Sequence, residues 1–287
     1  MEVYLHLLLD SDSLLYRAGF VCNEPGQEQL ACWQLDKVMQ GILEHVQPES
    51  YQCYLSGKRN FRYDIYPEYK ANRKDMARPI HLQVLRDHLV DQWGATLTDG
   101  NEADDVVGIV QCTTEDTCIA HIDKDIDQIP GQHYNFNKGE FYTVSNEQGM
   151  RHFYHQLVLG DKVDNIPGFD GKMRPKYPQK LYWIRDVINE AGSPEEMLQA
   201  VSDLWGCGDD EDGQARWLRF NEAAWCLWMH RVEEDDWRNY LCDELMRELG
   251  LPVELIRSLP TPFSVNASSI SQTPENFIGA HAPEVSE

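Results

Sequence analysis

Acidic side chains recur in this sequence in four groups, each at the predicted end of a strand or start of a helix. The groups are Asp10 with Asp12, Glu102 with Asp104 and Asp105, Asp123 with Asp125, and Asp161 with Asp164. Carboxylates gathered in one crevice repel one another, and hard divalent cations with oxygen ligands relieve that repulsion. Two such ions about 3.5–4 Å apart can bind a phosphate, generate hydroxide and stabilise the leaving oxygen. The residue types therefore indicate a two-metal phosphoryl-transfer site.

The elements that must position these groups follow from the apolar pattern of the first half of the chain. Short apolar runs alternate with amphipathic ones, which is typical of an α/β domain. The predicted strands are 4–9, 51–55, 95–97 and 117–122, and the predicted helices are 30–45, 80–90 and 102–111. Ile80, Val84, Leu85 and Leu89 form the expected apolar face of the helix at 80–90. Because strand ends converge in an open parallel sheet, acidic groups far apart in the chain can meet.

The second half of the chain is predicted to be helical. In residues 180–259, the spacing of Trp217, Phe220, Trp225 and Trp228 favours a packed core over a cofactor site. From Pro260 the chain is rich in Ser, Thr, Pro, Asn and Ala, so we expect a disordered tail. We therefore predict an α/β core at 1–160, a helical region at 161–259 and a tail at 260–287.

Charge, cysteine content and apolar runs indicate which binding partners and which cellular compartment to expect. The formal net charge of −23 argues against nucleic-acid binding if taken alone, because phosphates repel a negative surface. Positive charge is nevertheless concentrated in the segments 58–78 and 172–185. The eight cysteines are scattered without metal-binding spacing, which indicates reduced thiols in a cytoplasmic protein. No apolar run approaches the roughly 20 residues that span a bilayer, so we expect no membrane association.

Five motifs between residue 1 and about residue 180 occur in the order found in one family of nucleases. They are Asp10 after the first strand, Tyr69-Lys-Ala-Asn-Arg73, Glu102-Ala-Asp-Asp105, Asp123-Lys-Asp125 and Leu159-Gly-Asp-Lys-Val-Asp-Asn-Ile-Pro-Gly168. In this order they resemble the 5′-nuclease (flap endonuclease) superfamily, especially the 5′–3′ exonucleases of tailed phages. The resemblance implies a PIN-like core with a mostly parallel sheet flanked by helices, followed by a helical helix–hairpin–helix region.

The resemblance also implies roles for individual residues. The first metal site would comprise Asp10, Glu102, Asp104 and Asp105, and the second Asp125, Asp161 and Asp164, with Asp123 shared. The ions would be two Mg²⁺, for which Mn²⁺ can substitute. Lys70 and Arg73, in a basic arch near 58–78, would be catalytic because cations stabilise charge on the reacting phosphate. The expected DNA-contacting residues are Lys58, Arg59, Arg62, Tyr69, Lys74, Asn165, Gly168, Gly171, Lys172 and Lys176.

The activity implied by the resemblance is a metal-dependent 5′–3′ exodeoxyribonuclease, or structure-specific 5′-nuclease, acting on duplex or flapped DNA. RNA–DNA primer junctions are further candidate substrates, and phage replication or recombination in the infected host cytoplasm is the implied setting. Three positions depart from the family pattern. Gly57 stands where an Asp is frequent, Ser11 where Gly commonly follows the first Asp, and Lys172-Met-Arg174 where the hairpin usually ends in Gly-x-Gly. These departures bear on substrate geometry and leave the reaction class intact.

Two other interpretations remain open. One is a toxin-like ribonuclease of the related PIN-type fold, although a compact enzyme of that kind needs neither a duplex-binding hairpin nor a long helical second half. The other is a structure-specific DNA-binding protein with weak catalysis. Against it stand the complete acidic motifs, with Glu102, Asp104, Asp105, Asp123, Asp125, Asp161 and Asp164.

Overall fold

The computed structural model describes residues 5–174 and 176–262, with the exception of the Asp75 side chain. Tyr4, predicted to open the first strand, and the predicted tail after residue 262 lie outside the described residues. The chain forms two compact units. The first contains residues 5–60 and 77–144, and the second contains residues 61–76 and 145–262.

Strands are numbered along the chain. They are β1 His6–Asp10, β2 Ser50–Leu55, β3 Thr96–Leu97, β4 Thr117–His121, β5 Gly131–Asn135, β6 Glu140–Val144, β7 Gly160–Asp161 and β8 Ile166–Pro167. The first six form one sheet in the order β3-β2-β1-β4-β5-β6. All neighbouring pairs are parallel except β5 with β6, which is antiparallel. The predicted mostly parallel sheet is confirmed.

The helices are numbered in the same way. They are α1 Asp12–Val21, α2 Glu28–Val46, α3 Arg62–Ile65, α4 Leu82–Trp93, α5 Ala103–Thr113, α6 Asn146–Leu159, α7 Tyr182–Glu190, α8 Pro194–Trp205, α9 Glu211–Leu227, α10 Asp243–Glu248 and α11 Val253–Ser258. Short 3₁₀ turns occur at Ala71–Asp75, Asp125–Gln128, Gln179–Leu181 and Trp237–Tyr240. Within the described ranges, no helix combines the length and apolar character needed to cross a bilayer.

The first unit is built on the central strands β1 and β4. Leu7, Leu8 and Leu9 of β1 are fully buried because the strand has a neighbour on each side and helices cover the sheet. An uninterrupted apolar run is the expected sequence for such a strand. Helix α5 packs across β1, β2 and β4, and the N–H of its first residue, Ala103, donates to Ser56 Oγ just beyond the carboxyl end of β2.

The second unit has an aromatic core. Trp217, Trp225, Trp228 and Trp237 are all less than 2% exposed, and Phe153 of α6 packs edge-on against Trp228. The predicted core role of the tryptophans and the helical character of residues 180–259 are confirmed. All eight cysteines are free thiols.

The sequence-based elements differ from the structure in three respects. Helices α1 and α6, the β5–β6 hairpin and the short strands β7 and β8 were not predicted, and α6 packs in the second unit although the expected boundary was residue 160. Its buried residues Met150 and Phe153 belong to the aromatic core, which explains that placement. On α4, Leu85 and Leu89 are buried as expected, but Ile80 and Val84 are exposed. Ile80 precedes the first residue of the helix, so helical spacing does not apply to it.

Candidate active site

The carboxyl edge of the first unit's sheet carries the first acidic groups. Asp10 is the last residue of β1, only 6% exposed, and Leu9 before it pairs with Ala120 of β4. Because β1 and β4 are adjacent and parallel, Asp10 and the Asp123-Lys-Asp125 segment after β4 leave the sheet at the same edge. This is the convergence that the strand pattern predicted.

The first turn of α5 presents three carboxylates at the same edge. Glu102 is the N-cap, and its side chain exchanges hydrogen bonds with Asp105 in a capping box. The Glu102 N–H donates to Asp105 Oδ2 at 3.2 Å, and the Asp105 N–H donates to Asp104 Oδ1 at 2.8 Å. Carboxylates at a helix N-terminus are stabilised by the helix dipole. Local backbone N–H groups therefore help to orient these acids.

Asp12 and Ser56 join three elements of this edge. The Ser56 N–H donates to Asp12 Oδ2 at 3.0 Å, and the Ala103 N–H donates to Ser56 Oγ at 2.9 Å. Arg86 of α4 also donates to Asp12 Oδ1 at 3.4 Å. Asp12, although part of an acidic pair in the sequence, thus positions the end of β2 and the start of α5.

The Asp123-Lys-Asp125 segment forms a tight turn after β4. The Asp125 N–H donates to Asp123 Oδ1 at 3.0 Å, and Lys124 Nζ lies 3.3 Å from Asp125 Oδ1. The His121 ring bonds the backbone carbonyl of Asp123 through Nδ1 at 2.6 Å. The turn is therefore held from within and by the last residue of β4.

A group of polar side chains beside this turn, two of them buried histidines, was not predicted from the sequence. His121, His133 and Asp127 place ligand-type atoms within 4.8 Å of one another, and Tyr142 donates to Asp127 Oδ1 at 2.6 Å. Burial lowers the pKa of both His121 and His133 to about 4. Spacings of six and twelve residues match no familiar ligand motif, so only the pairing of β4, β5 and β6 brings these residues together.

The second unit contains the remaining acidic pair. Asp161 ends β7 and is 3% exposed, and its Oδ1 accepts the N–H groups of Val163 at 2.6 Å and Asp164 at 3.1 Å. Asp161 thereby closes the turn between β7 and β8. Asn165, next in the turn, adopts a left-handed conformation with φ 62° and donates from Nδ2 to the carbonyl of Glu68.

Lys70 and Arg73, the basic pair of the 69–73 motif, both contact Asp164. Lys70 Nζ lies 3.6 Å from Asp164 Oδ2, Arg73 forms an ion pair with Oδ1, and the Tyr69 hydroxyl donates to Oδ2 at 2.8 Å. The Lys70 N–H also donates to the Asp164 carbonyl at 2.9 Å. The side chains of Lys70 and Asp164 are mostly buried, with 13% and 15% exposure. The motif and the 162–165 turn therefore form one connected polar cluster.

The expected DNA-contacting residues fall into different environments. Those exposed to solvent are Lys58, Arg59, Lys74, Gly171, Lys172 and Lys176, and those partly or fully buried are Arg62, Tyr69, Asn165 and Gly168. Arg59 pairs with Asp99, its Nε donating to Oδ1 at 2.6 Å. The expectation for Arg62 is wrong, because its side chain is 1% exposed and donates to the carbonyls of Cys226 and Trp228. Tyr69 is likewise buried, so it reaches Asp164 and not solvent.

At two positions a glycine is needed because a backbone carbonyl oxygen lies where a side chain would begin. A Cβ on Gly57 would lie 1.9 Å from the Thr98 carbonyl oxygen, so the Asp frequent at this place in the resembled family cannot fit without moving that strand end. A Cβ on Gly168 would lie 2.4 Å from the Val158 carbonyl oxygen. The Gly168 N–H donates to Lys172 O and the Gly171 N–H to Gly168 O, which forms a compact turn.

A cavity of about 130 Å³ opens beside this glycine turn in the second unit. Gly168 and Gly171 line it together with Arg216, Arg219 and Glu222 of α9. Burial raises the pKa of the Glu222 carboxyl, and the guanidinium of Arg219 opposes that shift. Backbone groups of a glycine turn and guanidinium groups are both suited to a phosphate oxygen.

Comparison with known proteins places the chain in a described family. Residues 5–155 match the family of the 5′–3′ exonuclease, N-terminal resolvase-like domain. DNA polymerase I of Bacillus caldotenax is 26% identical over 230 residues, which cover 70% of this chain and 25% of that protein. A 5′–3′ exonuclease of Buchnera aphidicola subsp. Schizaphis graminum is 29% identical over 185 residues, or 56% of this chain and 64% of that protein. The chain thus spans about a quarter of the length of the polymerase relative.

Solved structures share the fold. The D15 protein of T5, crystallised with metal ions, aligns with a TM-score of 0.55 and 15% identity over 78% of this chain and 87% of that one. A complex of the bacteriophage T5 D15 flap endonuclease variant with DNA and metal ions aligns with a TM-score of 0.53 over the same shares. At this identity the likeness establishes the architecture, a mostly parallel sheet flanked by helices and a helical second half.

Proposed function

The chain belongs to the 5′–3′ exonuclease family, and on that premise we propose that it is a metal-dependent 5′-nuclease that hydrolyses phosphodiester bonds in DNA. The observation that carries the proposal is the set of carboxylates at the carboxyl edge of the first unit's sheet. Asp10, the first turn of α5 and the Asp123-Lys-Asp125 turn reach that edge from three separate elements. Such a set suits phosphoryl transfer better than acyl or redox chemistry, because it offers only hard oxygen donors.

The donor set fits Mg²⁺, with Mn²⁺ as a substitute. Asp10, Glu102, Asp104 and Asp105 would hold one ion, as the family motifs imply, and Asp123 and Asp125 offer further oxygen donors in the same unit. Bound divalent ions supply a nucleophilic hydroxide and neutralise phosphate charge. The protein's own part is orientation, since backbone N–H groups fix the carboxylates of Asp104, Asp105 and Asp123.

Lys70 and Arg73 are the proposed catalytic cations. Both are held by Asp164, which fixes their head groups before substrate arrives. Charged donors that are already oriented stabilise developing negative charge without reorganisation at the moment of reaction. An arginine offers two N–H groups to phosphate oxygens, whereas a lysine acts as a point charge. Tyr69 is a positioning residue in this scheme because it contacts Asp164.

DNA binding is proposed to use the phosphate backbone. Lys172 and Lys176 are exposed beside the glycine turn, and Arg216 and Arg219 line the adjacent cavity. Lys58, Arg59 and Lys74 offer further exposed charge. These groups recognise phosphates and not base edges, so cleavage should depend on DNA structure more than on sequence. The proposed helix–hairpin–helix would consist of α6, the β7–β8 turn with its glycines, and α7.

The proposed substrates are duplex or flapped DNA, with RNA–DNA primer junctions as further candidates, in phage replication or recombination. The test is digestion of blunt, nicked and flapped duplexes labelled at the 5′ end, each with Mg²⁺ and with excess chelator. We expect release of label from at least one substrate only when Mg²⁺ or Mn²⁺ is present. Release that persists in chelator would remove the metal-dependent mechanism, and no release from any substrate would remove the nuclease assignment.

A further inference from the structure

Two buried histidines of the first unit face each other in an arrangement that the nuclease site does not use. His121 ends β4 and is 1% exposed, and His133 on β5 is fully buried. His121 Nε2 and His133 Nδ1 are 2.9 Å apart. Tyr142, the cross-strand partner of His133 on β6, stacks on the His133 ring, and Asp127 lies on the 3₁₀ turn after β4.

In each ring, the nitrogen that points away from the other histidine is hydrogen-bonded to a backbone carbonyl oxygen. His121 Nδ1 contacts the Asp123 carbonyl oxygen at 2.6 Å, and His133 Nε2 contacts the Ile129 carbonyl oxygen at 2.9 Å. A carbonyl oxygen only accepts, so each of these nitrogens must carry the ring proton. In a neutral imidazole the other nitrogen then has a lone pair. The two inward nitrogens therefore direct lone pairs at each other across 2.9 Å.

Tyr142, the hydroxyl nearest to this pair, does not donate a proton to either lone pair. The Tyr142 hydroxyl lies 3.0 Å from His121 Nε2, but its one proton is donated to Asp127 Oδ1 at the shorter distance of 2.6 Å. A water molecule cannot stand between nitrogens that are already at hydrogen-bonding distance. Two arrangements satisfy both rings: a proton on one inward nitrogen, which burial of both rings disfavours, or a metal ion that accepts both lone pairs.

We propose that His121, Asp127 and His133 form a site for one divalent cation of the Zn²⁺ class, which no family motif assigns. Two imidazoles and a carboxylate suit Zn²⁺ and neighbouring transition metals better than Mg²⁺, which prefers oxygen ligands. Two Zn–N bonds of about 2.0–2.1 Å at a right angle place their nitrogens about 2.9 Å apart. The inward nitrogens already have that separation, and tetrahedral coordination requires only a small further opening of the pair.

The hydrogen bonds that hold His121, His133 and Asp127 are of the kind that usually orient metal ligands. Histidine ligands usually donate their second N–H to a carbonyl or carboxylate, which fixes the tautomer and the ring plane. His121 and His133 both do so, and Tyr142 holds the Asp127 carboxylate in the same way. Because His121 also bonds the Asp123 carbonyl, an ion here would fasten the acidic turn to β5. The site would be structural, positioning the turn, and not catalytic.

The experiment is Zn²⁺ equilibrium dialysis of the full chain in excess Mg²⁺, so that oxygen-ligand sites are already occupied. We expect one tightly bound Zn²⁺ per chain in the wild type and in Asp104→Asn. His133→Gln should abolish binding, and Asp127→Asn should weaken it by about tenfold or more. His155→Gln is the matched control, since that histidine contacts Tyr177 and Asn189 in the second unit and should leave binding unchanged.

The same samples are heated with and without Zn²⁺. We expect Zn²⁺ to raise the melting temperature of the wild type and of His155→Gln, because a ligand that binds only the native state stabilises it. Asp127 is half-buried, so Asp127→Asn should disturb the fold less than a change at the fully buried His133. If His133→Gln does not fold, Asp127→Asn tests the proposal in its place. The proposal is overturned if the wild type binds no Zn²⁺, if His133→Gln and Asp127→Asn bind it as well as the wild type, or if Asp104→Asn alone loses it.

Discussion

Two kinds of carboxylate contact can be compared between the two units. At the edge of the first unit's sheet, backbone N–H groups orient Asp104, Asp105 and Asp123. In the second unit, Asp164 contacts the cationic side chains of Lys70 and Arg73. An N–H group orients a carboxylate and leaves most of its charge in place, whereas a cation balances that charge.

This difference separates two roles, binding a metal ion and positioning a cationic side chain. The sequence alone predicts the first role for all of these carboxylates. A hydrogen bond from a backbone N–H group leaves the charge of a carboxylate available to a divalent ion. Asp164 can bind one only by giving up or sharing the ion pairs with Lys70 and Arg73. We therefore expect Asp164 to act mainly by positioning the two cations, and the edge carboxylates to supply most of the metal affinity.

The largest effect is expected from Asp104→Asn. The amide keeps the Oδ1 that accepts the Asp105 N–H but loses the negative charge, so kcat should fall by roughly 10³ or more as an ion is lost. Single-turnover cleavage across a Mg²⁺ series measures it. Glu115→Gln, an exposed acid before β4 at the opposite edge, is the control and should behave as wild type. If Asp164→Asn raises the Mg²⁺ requirement as much as Asp104→Asn does, the proposed division of roles is wrong.

A smaller effect is expected from Lys70→Ala. Loss of one oriented cation should slow the chemical step by roughly 10², by analogy with lost transition-state donors. The comparison is with Lys138→Ala, an exposed lysine near the β5–β6 turn, in single-turnover assays at saturating DNA. A change in Kd with an unaltered chemical step would instead make Lys70 a substrate-positioning residue.

Gly57→Ala tests the packing of the first unit's edge and should act on stability. The added methyl group would meet the Thr98 carbonyl oxygen at 1.9 Å, so the free energy of unfolding should fall by about 1–3 kcal/mol. Urea unfolding measures the loss. Gly41→Ala on α2, where a Cβ meets nothing within 4 Å, should instead leave stability unchanged or increase it. Equal stability of the two variants would contradict the close approach.

The smallest effect is expected from Lys172→Ala. Lys172 is exposed, and removal of a lysine that contacts a backbone phosphate should lower the affinity for all DNA sequences alike. It should also reduce the salt dependence of binding by about one ion. Binding isotherms at several salt concentrations measure both quantities. An altered chemical step at saturating DNA would contradict a purely electrostatic role in the second unit.

How much the sequence could predict depended on the range of the interactions involved. The convergence of Asp10 with the 123–125 turn was predictable because strand ends meet in any parallel sheet. The burial of Arg62 was not, because its carbonyl partners lie more than 160 residues away and nothing local marks them. The histidine pair was missed for a related reason, since it depends on the register between β4 and β5.

The most direct test of the central claim is the position of metal ions in crystals grown with Mn²⁺, located by anomalous scattering. We expect strong peaks at the carboxyl edge of the first unit's sheet, against Asp10, Glu102 and Asp104. A pair about 3.5–4 Å apart would match the two-ion mechanism. Fully occupied Mn²⁺ elsewhere, with none at that edge, would contradict the account.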